Sequence, residues 1–282
     1  MRSRWILQLV LLTGLTALPI AGLKAGENEK KDSQGRTPYK VYFIGHSLYS
    51  CGNVPSAVQF LSEAASVDRP IKAAVFLRGG GTHKNYWETP EVLKRLRQEP
   101  WDIVIIAGNV NDMAHPDKVN LEYAQKLDNE AKKRNIRVLE YLAWPWVKVT
   151  GDQVDQVFEK RMKAQEAFNQ PLVQLAKETG ATLVPCGPGL VNAIKKDRKF
   201  MADFHYGDVH VSLLGSYLTA CVIFATIYDK SPEGLPSVFH EYKIDKETAH
   251  ILQVTAWETV QEWQKIQNPG KSGNALPVSG KP

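Results

Sequence analysis

Val41-Tyr42-Phe43-Ile44-Gly45-His46-Ser47 is the stretch on which the reading of this chain turns. Four large β-forming residues run unbroken into a glycine, and a serine follows with one residue between. A buried strand that stops at a glycine delivers the next side chains to the end of a sheet. Parallel α/β sheets gather their chemistry beyond the carboxyl ends of their strands, so Ser47 is a candidate nucleophile. Serine also opens turns and caps helices, and alone it proves little. A second stretch far downstream adds weight: Gly207-Asp208-Val209-His210-Val211-Ser212, just before a long apolar segment. An early serine and a late histidine, each at an element boundary, suit a nucleophile and its base brought together by folding.

The same punctuation recurs along the chain. Ile71–Leu77 reads as a strand that ends in Gly79-Gly80-Gly81-Thr82, where the backbone can turn sharply or aim N–H groups at a ligand. The clearest strand is Asp102–Ala107, an apolar run fit for a sheet covered on both faces. It empties into Gly108-Asn109-Val110-Asn111-Asp112, and an asparagine there either makes a turn or aims its amide at developing negative charge. A strand over Ile136–Leu142 leads to Ala143-Trp144-Pro145-Trp146, whose indoles would stack on a sugar ring or roof the core. Thr182–Pro185 is the next strand.

Helices are predicted between these strands: Val54–Ala65, with Pro55 in its first turn, Lys118–Lys133, and Asp152–Thr179, broken at Pro171 and stopped by Gly180. Three more follow, at about Leu190–Lys196, at Leu213–Tyr228 behind a Ser212 cap, and at Lys246–Ile266. Strand alternating with helix predicts a three-layer α/β/α sandwich around a central parallel sheet, flavodoxin-like in plan. The glycine loop has neither the Gly-Lys-Ser/Thr ending of a P-loop nor dinucleotide-binding spacing, and no cofactor is implied.

The 282 residues, 43% hydrophobic and 23% charged, fit one well-filled globular domain, expected over residues 39–267. Arg2 and Arg4 precede an apolar run from Trp5 to about Leu23, which reads as a secretory signal peptide over residues 1–25. Its rival is an uncleaved membrane anchor, because the run is near spanning length. A polar tether over 26–38 and a Gly/Pro/Ser-rich tail over 268–282 are expected to be disordered. The leader holds three of the chain's cations and no acid, so the net charge of +5 falls to +2 without it. No basic stripe for nucleic acid remains, and the expected location is secreted or periplasmic, with no stable membrane insertion once the leader is removed. Cys51, Cys186 and Cys221 leave at least one thiol unpaired, and a Cys51–Cys186 bridge is an open alternative. The oligomeric state is not legible.

Gly45-x-Ser47, a glycine loop, an Asn-Asp after the third strand and a late Asp/His pair resemble, in that order, the SGNH/GDSL hydrolase superfamily. The segment from Asp208 to Leu218 looks especially like the last block of its secreted bacterial members. The resemblance implies Ser47 as nucleophile and His210 as base. It also implies an oxyanion hole built from the Ser47 N–H, the Gly80 N–H and an asparagine that is either Asn109 or Asn111. Two positions depart from the pattern: His46 stands where Asp or Asn is usual, and Gly207 where the orienting acid is expected. Asp208, Asp203 or no acid at all would then orient His210.

The leading expectation is a secreted serine esterase that removes O-acetyl or another small acyl group from a carbohydrate, with Trp144 and Trp146 against the sugar. A binding relative with a degraded triad is the first alternative. The second is a metal-dependent hydrolase drawing on His46, His83, His115 and His210, all in strand-end loops, although none shows ligand spacing.

Overall fold

The structure is a computed structural model that describes residues 31–32, 34–109, 118–144, 159, 170–204, 210–239 and 242–268. Its spine is a five-stranded, all-parallel sheet: β1 (Tyr39–Gly45), β2 (Ile71–Leu77), β3 (Ile103–Ile106), β4 (Arg137–Tyr141) and β5 (Thr182–Val184). The spatial order is β2-β1-β3-β4-β5, the flavodoxin-like order expected from the alternating sequence. β1 is central, pairing Tyr39 with Ile71 on one side and Val41 with Ile103 on the other. Every residue of β3 and the second half of β1 is buried, which is why those segments carry no polar alternation. Each Val or Ile so placed contributes about 1.5–3 kcal/mol of burial.

Helices cover both faces of the sheet. On one face α2 (Val54–Ala64), α7 (Cys186–Lys196), α9 (Leu213–Tyr228) and α10 (Lys246–Gln267) pack together. The other face carries α3 (His83–Trp87), α4 (Pro90–Gln98), α5 (Lys118–Lys132) and the helical stretch 170–179, α6, which meets α5 where the Thr179 hydroxyl donates to Asp128 Oδ2 at 2.7 Å. Short α1 (Ser47–Ser50) and α8 (Phe200–Asp203) and a two-stranded ribbon of β6 (Val238–Phe239) and β7 (Tyr242–Lys243) complete the described elements. α9 is apolar all round and buried from Leu214 to Ile227, and Ser212 caps it as predicted, accepting from the Gly215 N–H.

Three expectations need correction. Residues 83–98, given no helix from the sequence, form α3 and α4. A capping box between Thr82 and Asn85 starts the first, and Pro90 sits in the first turn of the second. α7 begins at Cys186 rather than near Leu190. Gly187 and Pro188 lie in its first turn, where backbone N–H groups have no intrahelical partner, so a proline there costs nothing. Trp144 is 2% exposed and belongs to the core, so it roofs the sheet and offers no face to a sugar. None of the three cysteines is in a disulfide, so the Cys51–Cys186 alternative is closed.

The expected leader and tail lie outside the described residues, as does the predicted helix before residue 170 apart from Glu159. No helix among the described residues is long and apolar enough to cross a membrane.

Candidate active site

β1 and β3 lie side by side, yet the chain leaves β1 toward β2 and leaves β3 toward β4. This divergence marks the crevice position beyond their carboxyl ends where open α/β sheets usually take a ligand. Ser47 stands there, half-buried at the first position of α1. Its backbone N–H is one of the donors a helix start cannot satisfy, and it has no partner among the described residues. Gly80 lies beside the crevice at the end of β2. The Gly81 N–H closes a turn onto the Arg78 carbonyl, and Gly80 takes φ +61°, a left-handed conformation that favours glycine. The Gly80 N–H is likewise unpaired among the described residues. A Cβ built on Gly80 would sit 3.5 Å from Asn109 Nδ2, so the Asn109 amide faces the glycine turn. Donors thus stand at the ends of three adjacent strands: the Ser47 N–H after β1, the Gly80 N–H after β2 and the Asn109 amide after β3.

His46, beside Ser47, is the tie between two of those ends. Its ring is buried, Nδ1 accepts a long 3.5 Å bond from the Leu48 N–H, and Nε2 lies 3.1 Å from the Gly108 carbonyl oxygen. A carbonyl only accepts, so the proton is on Nε2 and the ring is neutral. Burial lowers its pKa; the Gly108 hydrogen bond works against this, and the charges of His210 and His83 push it further down. Both nitrogens are therefore engaged, and none offers a lone pair to a metal. Among the described residues no group of three or more His, Cys, Asp or Glu side chains could hold a metal ion.

His210 lies in a bend just before α9, half-buried and close enough for its charge to act on His46, the neighbour of Ser47. The Ser212 N–H anchors this turn by donating to the Phe204 carbonyl at 2.7 Å. The chain thus brings His210 to the same side as Ser47. Asp208, Asn111, Trp146 and His115 lie outside the described residues. Asp203 ends α8.

The sequence reading missed what lies beneath. His83, the first residue of α3, is fully buried, with Nε2 3.2 Å from Glu140 Oε2 on β4. Glu140 is fully buried too and hydrogen bonds Asp128 of α5, itself anchored by Thr179. Burial pushes both carboxyls up to about 8; the Glu140 charge adds to the shift of Asp128, whereas the hydrogen bond from Asp128 partly offsets that of Glu140. Among the described residues Asp128 Oδ1 and Glu140 Oε1 are buried carboxyl oxygens with no other donor, and one proton held between them would satisfy both. The available signal was a lone Glu inside the apolar run Val138–Leu142 and an Asp beside Leu127 on a buried helix face.

No family model matches this chain, and no curated protein sequence matches it. Solved structures do. A DUF4886 family protein from Bacteroides uniformis is 16% identical, with a TM-score of 0.64 over 79% of this chain and 95% of that one. A candidate SGNH hydrolase from Slackia heliotrinireducens is 20% identical, with a TM-score of 0.53 over 67% and 99%. The acetylxylan esterase Axe2 from Geobacillus stearothermophilus is 19% identical, with a TM-score of 0.51 over 67% and 94%. This chain has the SGNH-hydrolase fold. In this chain Ser47, Gly80 and Asn109 each follow the carboxyl end of one of three adjacent parallel strands, β1, β2 and β3.

Proposed function

We propose that this chain is an SGNH-type serine esterase that removes an acetyl or similarly small acyl group from a carbohydrate. The observation that supports the reading is the Asn109 amide facing the Gly80 turn at the ends of β3 and β2, the two strands that flank β1 and its Ser47. A half-buried serine beside such donors is arranged for attack on a carbonyl whose oxygen becomes negative. Ser47 Oγ attacks the ester carbonyl while His210 takes its proton. The tetrahedral oxyanion lies against the Ser47 and Gly80 N–H groups and Asn109 Nδ2. Collapse expels the sugar alcohol, which receives the proton from His210. Water activated by the same histidine then releases the acid. His46, neutral and with both nitrogens engaged, holds the floor and moves no proton.

The acetyl-carbohydrate step draws on the acetylxylan esterases that share the fold. The arginine-flanked apolar leader supports action outside the cytoplasm. The test is hydrolysis of p-nitrophenyl acetate and of acetylated xylo-oligosaccharides by wild type, Ser47→Ala and His210→Ala. Losses of at least about 10³-fold in both variants, unaffected by EDTA, are expected. Turnover that survives Ser47→Ala refutes the mechanism; no turnover by a folded wild type makes a carbohydrate-binding relative the better reading.

A further inference from the structure

The short helix α3 begins directly after the glycine turn and sends two side chains beneath the end of β3. The Tyr86 hydroxyl lies 2.9 Å from the Ala107 carbonyl oxygen and 3.0 Å from that of Gly81, so its one proton is shared between the two loops. His83, three residues earlier on the same helix face, sets the edge of its ring against the next residue: a Cβ on Gly108 would overlap His83 Cε1 and Nδ1. From above, His46 Nε2 donates to the Gly108 carbonyl oxygen. Gly108 is therefore clamped between two imidazoles, and the next residue is Asn109. Glu140 and Asp128, from β4 and α5, fix the far side of the His83 ring.

We propose that His83, held by Glu140 and Asp128, is the positioning residue of the oxyanion hole, fixing Gly108 and through it the reach of the Asn109 amide toward Gly80. Two buried acids and a buried histidine are a costly way to fill space, and an apolar trio of the same volume would often be as stable. What the trio supplies is a ring whose orientation is set by a hydrogen bond, placed where a drift of about 1 Å would misplace a donor and cost roughly 10²-fold in rate. No part of it touches substrate.

This inference rests on the esterase reading, and the experiment separates the two. His83→Gln keeps an amide to donate to Glu140 and removes the ring edge from Gly108; Glu140→Gln keeps an acceptor for His83. Each is assayed for kcat and KM on p-nitrophenyl acetate, and amide hydrogen exchange is followed over residues 103–109. His83→Gln is expected to lower kcat by about 10–100-fold with KM within about threefold, and to speed exchange at residues 107–109. Glu140→Gln is expected to do the same more weakly. In Gly108→Ala the new methyl meets the His83 ring, so kcat is expected to fall there too. A folded His83→Gln protein with wild-type kcat and unchanged exchange overturns the proposal. If wild type shows no Ser47-dependent turnover, the esterase reading fails and exchange alone decides: faster exchange at 107–109 in His83→Gln upholds the prop, and unchanged exchange sinks it.

Discussion

Asp128→Asn should flatten a pH dependence of stability that wild type shows on the alkaline side of neutrality. The folded chain holds a proton between Asp128 and Glu140 up to about pH 8, whereas unfolded carboxyls release theirs near pH 4. A carboxyl raised on folding stabilises the fold fully at low pH, and that contribution is lost as pH climbs toward the raised value. With one proton involved, stability falls by about 1.4 kcal/mol per pH unit across the interval. Buried His46 pulls the other way, but only below its ordinary value near 6.5, where the unfolded chain carries the extra proton. Between pH 6.5 and 8 the pair therefore acts without it, and wild type should lose about 2 kcal/mol, or about 4–8 °C in Tm for a unit of this size. The amide of the variant would donate an N–H to Glu140 without a proton to lose. Thermal melts by circular dichroism at pH 6.5, 7.25 and 8 should give a clearly flatter line for the variant. Parallel lines for the two proteins would refute the shared proton.

Other substitutions test separate parts of the frame. His46→Asn shortens the side chain so that it can still accept from the Leu48 N–H but no longer reaches the Gly108 carbonyl oxygen; kcat should fall by about tenfold with little change in KM, measured on p-nitrophenyl acetate. Gly187→Ala places a Cβ into the Ala143 carbonyl, backbone that cannot step aside, and should cost about 1–3 kcal/mol or more in urea unfolding.

Much of the fold was legible because β1 and β3 carry unbroken apolar runs and each strand of the first three ends in a glycine or a turn. Ile103–Ile106 could hardly be anything but a doubly covered strand, and the candidates Ser47, Gly80 and Asn109 or Asn111 come from counting past the ends of three predicted strands. The hidden parts were those where meaning depends on what lies across the fold. His83 in sequence is one histidine after a flexible loop; only folding brings β4 and α5 against it. α3 escaped because five residues give too little periodicity, and its Thr-Asn capping box lacks the usual Glu or Gln. Trp144 misled because a strand-end indole looks alike in sequence whether it faces a sugar or the core, and its burial decides for the core.

The central place of β1 also sets an order in time. Its outer neighbour β2 follows closely, but 62 residues separate His46 from Gly108, the two ends of the tie that joins the first strand to the third. At about 5–20 residues per second, a ribosome takes roughly 3–12 s to cross that gap. Throughout it, the apolar flank of β1 that β3 will cover stays open. His210 comes later still, about a hundred residues past Gly108. Ser47 is thus made early, and on the esterase reading proposed above a nascent or truncated chain ending before residue 210 would carry the nucleophile but no base to activate it.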